Sequence, residues 1–119
     1  MAPLKMTLDA YYKGDTWKGF TLDSILIDGV VPTVNLASCK LQFRDKTGAL
    51  GYELNSIEAI CKGLITINDA TTWALSIGGM VLDLEAGTWW WDLEMVDVNG
   101  DILTVLTGRL RVVDDITHY

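Results

Sequence analysis

Side chains that commonly perform catalysis are sparse in this sequence. The single histidine, His118, lies next to the C-terminus, where chains commonly fray, so no serine or cysteine has an ordered base partner. Asp114 and Asp115 are neighbours, and neighbours on an extended chain point to opposite faces, which separates the carboxyls that an acid/base pair needs. Carboxylates alone offer glycosidase candidates in any acidic protein, and no pattern here supports one. The sequence therefore predicts a protein that is not an enzyme and has no catalytic residue.

Cofactor and metal sites also lack a signature. The sequence contains no strand-linked Gly-x-Gly-x-x-Gly, phosphate loop, Cys-x-x-Cys or His-Glu-x-x-His. Residues 97–101 resemble the start of a calcium loop, but Ile102 replaces its sharp-turn glycine and Gly108 its bidentate glutamate, so we interpret the segment as a hairpin turn. Cys39 and Cys61 are far apart and outside any metal-ligand spacing, which favours free buried thiols over a disulfide. We expect no cofactor and no metal.

Three consecutive tryptophans, Trp89, Trp90 and Trp91, are the residues that most need an explanation. Successive side chains of a strand point to opposite faces, so at least one indole must point away from the core. If Trp89 and Trp91 face inward, Trp90 shares the outer face with Asp92 and Glu94. Three interpretations of Trp90 stay open: packing beneath a loop or over a sheet edge, a protein contact surface, or a platform for a sugar ring.

The turn that follows these tryptophans decides which residue faces Trp90. The pair Asn99-Gly100 predicts a tight reversal inside a hairpin over 88–113. A two-residue turn would place Arg109 opposite Trp90, whereas a three-residue bulged turn would place Arg109 opposite Trp89. The predicted interaction surface consists of Trp90, Asp92, Glu94 and Arg109.

Apolar residues occupy both faces of the return strand in this hairpin. One parity carries Ile102, Leu106 and Leu110, and the other carries Leu103, Val105 and Val113. This pattern predicts a strand that another sheet, chain or loop covers on its second side.

Length and composition limit the partners and the setting. The 119 residues, 50% of them apolar, suffice for one domain, which we place at 1–119. The formal net charge of −7 argues against nucleic acid and anionic lipid, since both require clustered Lys and Arg. No apolar run approaches the roughly 20 residues that cross a bilayer, and no signal peptide begins the chain. We therefore expect a protein that folds in a cytoplasm and has no membrane partner.

Apolar and polar residues alternate with period two in many short segments that end at Gly, Asn or Asp, which is typical of half-buried strands. The clearest segment carries Cys39, Leu41 and Phe43 on one face and polar residues on the other. Seven to nine such strands predict an all-β fold, an antiparallel β-sandwich, with an open barrel as the alternative.

Two other segments have less regular patterns. Residues 17–27 predict one strand with a bend near Asp23-Ser24. Residues 55–62 allow one short helical turn at most, because Asn55 could cap it but the segment is too short for a stable helix.

Several segments that span most of the chain carry a family likeness. In the first half they are Tyr12-Lys13-Gly14-Asp15-Thr16 and Leu41-Gln42-Phe43-Arg44, and in the second half they are 65–70, 73–77, 86–94, 96–101, 106–109 and 112–117. They resemble immunoglobulin-like modules of tailed-bacteriophage virion proteins, including the N-terminal modules of baseplate upper proteins. The sequence departs from that pattern at 55–62 and at Trp90, where smaller residues are usual. The resemblance implies an immunoglobulin-like β-sandwich in a small phage structural protein, and it implies no catalytic residue.

The resemblance leads to a specific functional hypothesis. We expect a virion structural or adaptor protein of the tail or baseplate, assembled in the host cytoplasm, that binds other virion proteins and forms a symmetric oligomer or repeats within the particle. Two alternatives remain, a capsid cement or decoration protein and a carbohydrate-binding adhesion module.

Overall fold

The computed structural model describes residues 4–8, 10–26, 29–30, 32–57 and 63–114. Every regular element in these ranges is a β-strand. The strands are β1 (Leu4–Thr7), β2 (Tyr11–Tyr12), β3 (Thr16–Trp17), β4 (Phe20–Leu22), β5 (Leu36–Arg44), β6 (Leu50–Asn55), β7 (Gly63–Asp69), β8 (Ala74–Ile77), β9 (Met80–Val81), β10 (Gly87–Asp97) and β11 (Ile102–Val113). Four of them, β2, β3, β4 and β9, have only two or three residues. The prediction of an all-β fold is confirmed.

Most neighbouring strands are antiparallel. Hydrogen bonds order them β1-β11-β10-β5-β6-β7-β8-β4, while β2 also pairs with β11, and β3 and β9 form a separate pair. The pairs β1–β11, β2–β11 and β6–β7 are parallel. β6 and β7 share only two residue pairs, Leu54 with Gly63 and Asn55 with Leu64. Because this pairing is so short, the sheet can bend back on itself at the junction between β6 and β7.

The core lies between the strands on either side of the β6–β7 junction, in a sandwich-like arrangement. Its fully buried side chains include Leu41, Phe43, Leu93, Met95 and Leu110 from β5, β10 and β11, and Ile65 and Leu75 from β7 and β8. Trp17 of β3 contacts Phe43 edge-on with ring centroids 5.8 Å apart, and Phe20 of β4 contacts Trp91 of β10 at the same separation. These aromatic contacts join the two layers.

Alternation along β5 follows the predicted pattern. Cys39, Leu41 and Phe43 are buried, and the intervening Lys40 and Gln42 are only partly so. On β10, Trp91, Leu93 and Met95 are likewise buried, while Trp89 is partly buried against the core. The strands have these faces because period-two alternation gives each one an apolar side to bury.

The predicted strand over 17–27 is wrong in its extent, although the chain does bend at Asp23 as predicted. The chain forms β3 and then the short β4, which ends at Leu22, and an interruption that was not predicted falls at Lys18-Gly19. Gly19 adopts a positive φ of 64°, which few side chains tolerate. The break occurs there because β3 pairs with β9 whereas β4 pairs with β8, so the backbone changes partner between them.

The hairpin of β10 and β11 combines features of both predicted turns. Its loop has three residues, 98–100, closed by the Asp97 N–H donating to the Asp101 carbonyl at 3.0 Å, with Gly100 at a φ of 87°. A register shift between Leu93 and Glu94 then inserts one extra residue in β11, a β-bulge. Beyond the bulge, Trp90 pairs with Arg109.

The same bulge explains why apolar residues occupy both parities of β11, the pattern that predicted cover by another sheet, chain or loop. Val105 and Leu106 are consecutive and both buried, so the core-facing parity of the strand switches at this point. Ile102 on the outer side is 67% exposed, and Arg109 and Arg111 are exposed as well. One face of β11 is therefore buried along its length, and the apolar residues of both parities belong mostly to that face.

The predicted helical turn near 55–62 falls mainly on residues 58–62, which lie outside the described ranges. Asn55 itself ends β6, and its side-chain Oδ1 accepts the backbone N–H of Ile57 at 2.8 Å. Among the described residues no helix has the length and apolar character needed to cross a bilayer.

Candidate interaction face around Trp90

Trp90 lies in a row of three side chains on the outer face of the sheet. The register pairs Trp90 of β10 with Arg44 of β5 on one side and with Arg109 of β11 on the other. Directly paired residues project on the same face with Cβ atoms about 5 Å apart, so the indole stands between two arginines. The side chain of Trp90 is 42% exposed. We call Arg44, Trp90 and Arg109 the arginine–tryptophan row.

The two arginines of this row differ in how they are held. Arg44 donates from Nη1 to the Gly48 carbonyl at 3.0 Å and from Nη2 to Gln42 Oε1 at 2.8 Å, so the fold fixes its orientation. Arg109 forms no hydrogen bond or ion pair with any residue that the structure describes, and it is exposed. A guanidinium has five N–H donors, so both arginines retain donors for a ligand.

A second polar row lies beside the first. Asp92 of β10 pairs with Gln42 of β5 and with Thr107 of β11. Glu94, one step further along β10, pairs with Lys40, whose Nζ lies 3.9 Å from Glu94 Oε1. A partly exposed ion pair of this length contributes less than about 1 kcal/mol to stability. Its main effect is to neutralise Glu94 on this face.

The carboxyl of Asp92 is poorly satisfied. Its Oδ1 is buried and accepts no hydrogen bond from the described residues. Burial raises the pKa of this carboxyl above its ordinary value of 3.8 and the charge of Glu94 raises it further, while Arg44 and Lys40 act in the opposite direction. The fold therefore disfavours the ionised form of Asp92 relative to the unfolded chain.

Replacing Asp92 with asparagine should reveal this penalty. A carboxyl whose pKa is raised on folding adds stability below its unfolded pKa of 3.8, and that stability is lost as pH rises through the higher folded value. We expect Asp92→Asn to gain stability over the wild type at pH 7, and the gain to shrink as pH falls towards 3.8. Urea unfolding of both proteins across this pH range measures the difference between their free energies of unfolding. The contributions of the other carboxyls cancel in that difference. A gain that grows as pH falls would contradict this assignment.

The face carries an unusual concentration of positive charge for an acidic chain. All three arginines of the sequence, Arg44, Arg109 and Arg111, project from it, although the net charge of the chain is −7. Next to the row is an open groove of about 760 Å³ whose lining includes Lys5, Trp90, Arg109 and Arg111. Asp92 is the one carboxylate among the described residues of its lining. We call this depression the arginine groove.

One wall of the arginine groove also holds an unused hydrogen-bond donor. The indole of Trp91 is 3% exposed, yet its Nε1 has no acceptor among the described residues. Buried donors normally have a partner, and leaving one without costs about 1–3 kcal/mol. The Nε1 of Trp91 is thus a buried donor beneath the groove that the described part of the fold does not satisfy.

The structure places the predicted site residues as follows. Trp90, Asp92, Glu94 and Arg109 all project from the outer face of the sheet, and three of them pair with residues of β5. Sequence reasoning missed Arg44 as a member of this site. Its outward parity on β5 was visible, but nothing local indicates that β5 lies beside β10.

The thiol of Cys39 has no reactive character. Cys39 is buried, and desolvation raises its pKa to about 11, with the Ser56 side chain lowering it in part. It is therefore protonated at neutral pH and cannot serve as a nucleophile. Cys61 and His118 lie outside the described residues.

The calcium-loop segment forms a turn. Asp97 Oδ1 accepts the backbone N–H groups of Asn99 at 2.9 Å and of Asp101 at 3.1 Å, which occupies an oxygen that would otherwise face a cation. Among the residues that the structure describes, no group of three or more His, Cys, Asp or Glu side chains is placed to hold a metal.

Comparisons with known proteins add little to this geometry. No protein-family model matches the chain, and no curated protein matches it. Among solved structures, the chain is similar to CopC from Methylosinus trichosporium OB3b, with 14% identity over 72% of this chain and 74% of that chain and a TM-score of 0.42. A likeness this distant carries no conclusion about function, so the function must be argued from the face around Trp90.

Proposed function

We propose that this chain is a non-enzymatic structural or adaptor protein of a bacteriophage tail or baseplate and binds neighbouring virion proteins through the face around Trp90. The observation that carries the proposal is the arginine–tryptophan row, an exposed indole between two arginines with free donors. Trp and Arg are the residues most enriched at the energetic centres of protein interfaces.

Rigid support strengthens this interpretation. Trp90 projects from β10 and Arg109 from β11, the two longest strands among the described residues, and the opposite faces of these strands are fixed by Trp91, Leu93 and Leu110 in the core. A preformed surface loses less conformational entropy on binding than a mobile one. The row therefore suits a permanent contact within an assembly.

The phage setting rests on the sequence resemblance to virion modules. The segments that carry it include 86–94, and residues 87–94 of that segment belong to β10, the central strand of the proposed surface. A capsid cement or decoration protein would use the same kind of contact surface, so the location of the chain in the particle distinguishes the two roles.

A carbohydrate-binding role would use Trp90 as a stacking platform. Sugar hydroxyls would then need free amide or carboxylate groups beside the indole. Gln42 is the nearest amide on β5, but it donates to Glu53 and accepts from Arg44, so both ends of its side chain are occupied. Asp92 has an oxygen without a partner among the described residues, but that oxygen, Oδ1, is buried and does not face a ligand at the surface. Protein contact is thus the better supported function of this face.

Trp90→Ala tests the proposal in assembling particles. We expect incorporation of the variant into purified virions to fall at least tenfold, because loss of a central interface residue commonly costs 2 kcal/mol or more. Its folding should change little, since the side chain is already 42% exposed. Gold-labelled antibody and electron microscopy would locate the protein, and urea unfolding would check its fold.

Val81→Ala is the matched control, since Val81 is 51% exposed and lies on β9, away from this face. It should be incorporated normally. Wild-type incorporation of Trp90→Ala would refute the role of the face, and particles without label would refute the virion role. Glycan binding that is lost in Trp90→Ala would favour the adhesion module instead.

A further inference from the structure

The far end of the β10–β11 hairpin carries a surface of opposite character to the arginine groove. Val98 is 62% exposed, Ile102 is 67% exposed, and Val30 of the preceding connection is 62% exposed. Asp97 and Asp101 flank the three-residue loop. We call Val30, Asp97, Val98, Asp101 and Ile102 the acidic tip.

Within the described part of the chain, no Lys or Arg side chain pairs with the acidic tip. An apolar depression of about 360 Å³ between the tip and residues 32–34 has no Lys or Arg among the described residues of its lining. Among the described residues Asp101 forms no ion pair and its carboxylate accepts no hydrogen bond. The tip therefore exposes apolar side chains together with a free carboxylate at a projecting turn.

The arginine groove has the complementary properties. It is concave, it is lined by Lys5, Arg109 and Arg111, and it exposes the indole of Trp90 as an apolar contact. Carboxylates pair with guanidinium groups through charge-assisted hydrogen bonds. Apolar side chains of the tip would meet the indole, and the carboxylates would meet the arginines.

The two surfaces cannot meet within one molecule. Trp90 and Val98 are eight positions apart on the same strand and its turn, which corresponds to about 25 Å along an extended chain. A contact between different surfaces of identical chains is heterologous, so it leaves one free surface of each kind and repeats into a ring or a row.

We infer that copies of this chain associate head to tail, with the acidic tip of one copy seated in the arginine groove of the next. The inference rests on the proposed function, because it takes the face around Trp90 to be a protein contact, and it names a second copy as the partner. The net charge of −7 makes copies repel at long range. At about 0.15 M salt, screening beyond roughly 8 Å removes most of this repulsion and leaves contact pairs in place.

Sedimentation velocity of the purified full chain at that salt concentration tests the inference. The wild type should form species larger than a dimer as concentration rises, because each added copy exposes a new tip or groove. Arg109→Glu places a negative charge in the groove and should weaken association at least tenfold. The double variant Asp101→Asn, Ile102→Ser removes a charge and an apolar contact from the tip and should have the same effect.

Mixing the two defective proteins gives the sharpest result. Arg109→Glu keeps an intact tip, and the double variant keeps an intact groove, so an equimolar mixture should recover association and stop at the dimer. Val81→Ser, outside both surfaces, should associate as the wild type does. Circular dichroism checks the fold, and Arg109→Gln replaces the charge-reversed variant if that one misfolds.

Three outcomes would overturn head-to-tail association. They are a wild type that stays monomeric to about millimolar concentration, variants that associate normally, and a mixture that recovers nothing. A monomeric wild type whose Trp90→Ala variant still fails to enter virions would leave the proposed function standing with a different partner. Normal entry of Trp90→Ala, with head-to-tail association intact, would instead refute the proposed role in the particle.

Discussion

Replacing Phe43 with alanine is expected to destabilise the protein by about 3–5 kcal/mol, which is a large fraction of the roughly 5–15 kcal/mol that holds a typical domain folded. Phe43 has no exposed surface, and its ring contacts the edge of Trp17 with a centroid distance of 5.8 Å. Truncation removes the apolar burial of the ring and leaves a cavity between the layers of the sandwich. Urea unfolding followed by tryptophan fluorescence measures the loss.

Leu50→Ala is the control for this prediction. Leu50 lies on β6, beside β5, and is 50% exposed, so its truncation should change stability by no more than about 0.5 kcal/mol. An equal loss from the two substitutions would mean that Phe43 does not pack between the layers.

Gly19→Ala is expected to be comparably damaging, for a steric reason. A Cβ at this position would lie 2.0 Å from the carbonyl oxygen of Ile77 and 2.7 Å from the Cα of Gly78. Both are backbone atoms, so a neighbouring segment would have to move. The positive φ of 64° adds about 1–2 kcal/mol for any L side chain, and overpacking adds about 1–3 kcal/mol. We expect a total loss near 3–4 kcal/mol in thermal or urea unfolding.

Gly14→Ala separates the two causes. Gly14 also has a positive φ, 94°, but a Cβ there would meet nothing within 4 Å. It should lose only the backbone contribution, about 1–2 kcal/mol. If both alanine variants lose the same amount, the close approach between Gly19 and the end of β8 does not constrain the fold.

Part of the candidate site could be predicted from local sequence patterns alone. Period-two alternation placed Trp90, Asp92 and Glu94 on one face of β10 and sent Trp91 inward, because side chains of a strand must alternate. The same alternation predicted that the face of β5 that carries Cys39 is buried. Its functional meaning, a protein contact, stays a prediction.

The register between β10 and β11 could not be predicted from the local sequence. The pairing of Trp90 with Arg109 depends on both the three-residue turn and the bulge opposite Leu93 and Glu94, and the two shifts compensate. A turn has a recognisable sequence, whereas a bulge is set by packing on both strands. The apolar residues on both parities of β11 have the same cause, since the bulge at Val105 changes which parity faces the core.

The sequence by itself determined that this chain folds into strands, which faces of β5 and β10 are buried, and that one tryptophan of three lies outside. Only the tertiary structure decided that β5 lies beside β10, which adds Arg44 to the row, and that Lys5 and Arg111 border the same groove. The physical reason is that alternation is a property of each strand's own backbone. Strand order and bulges depend instead on packing between segments far apart in the chain. No local sequence pattern predicts that packing.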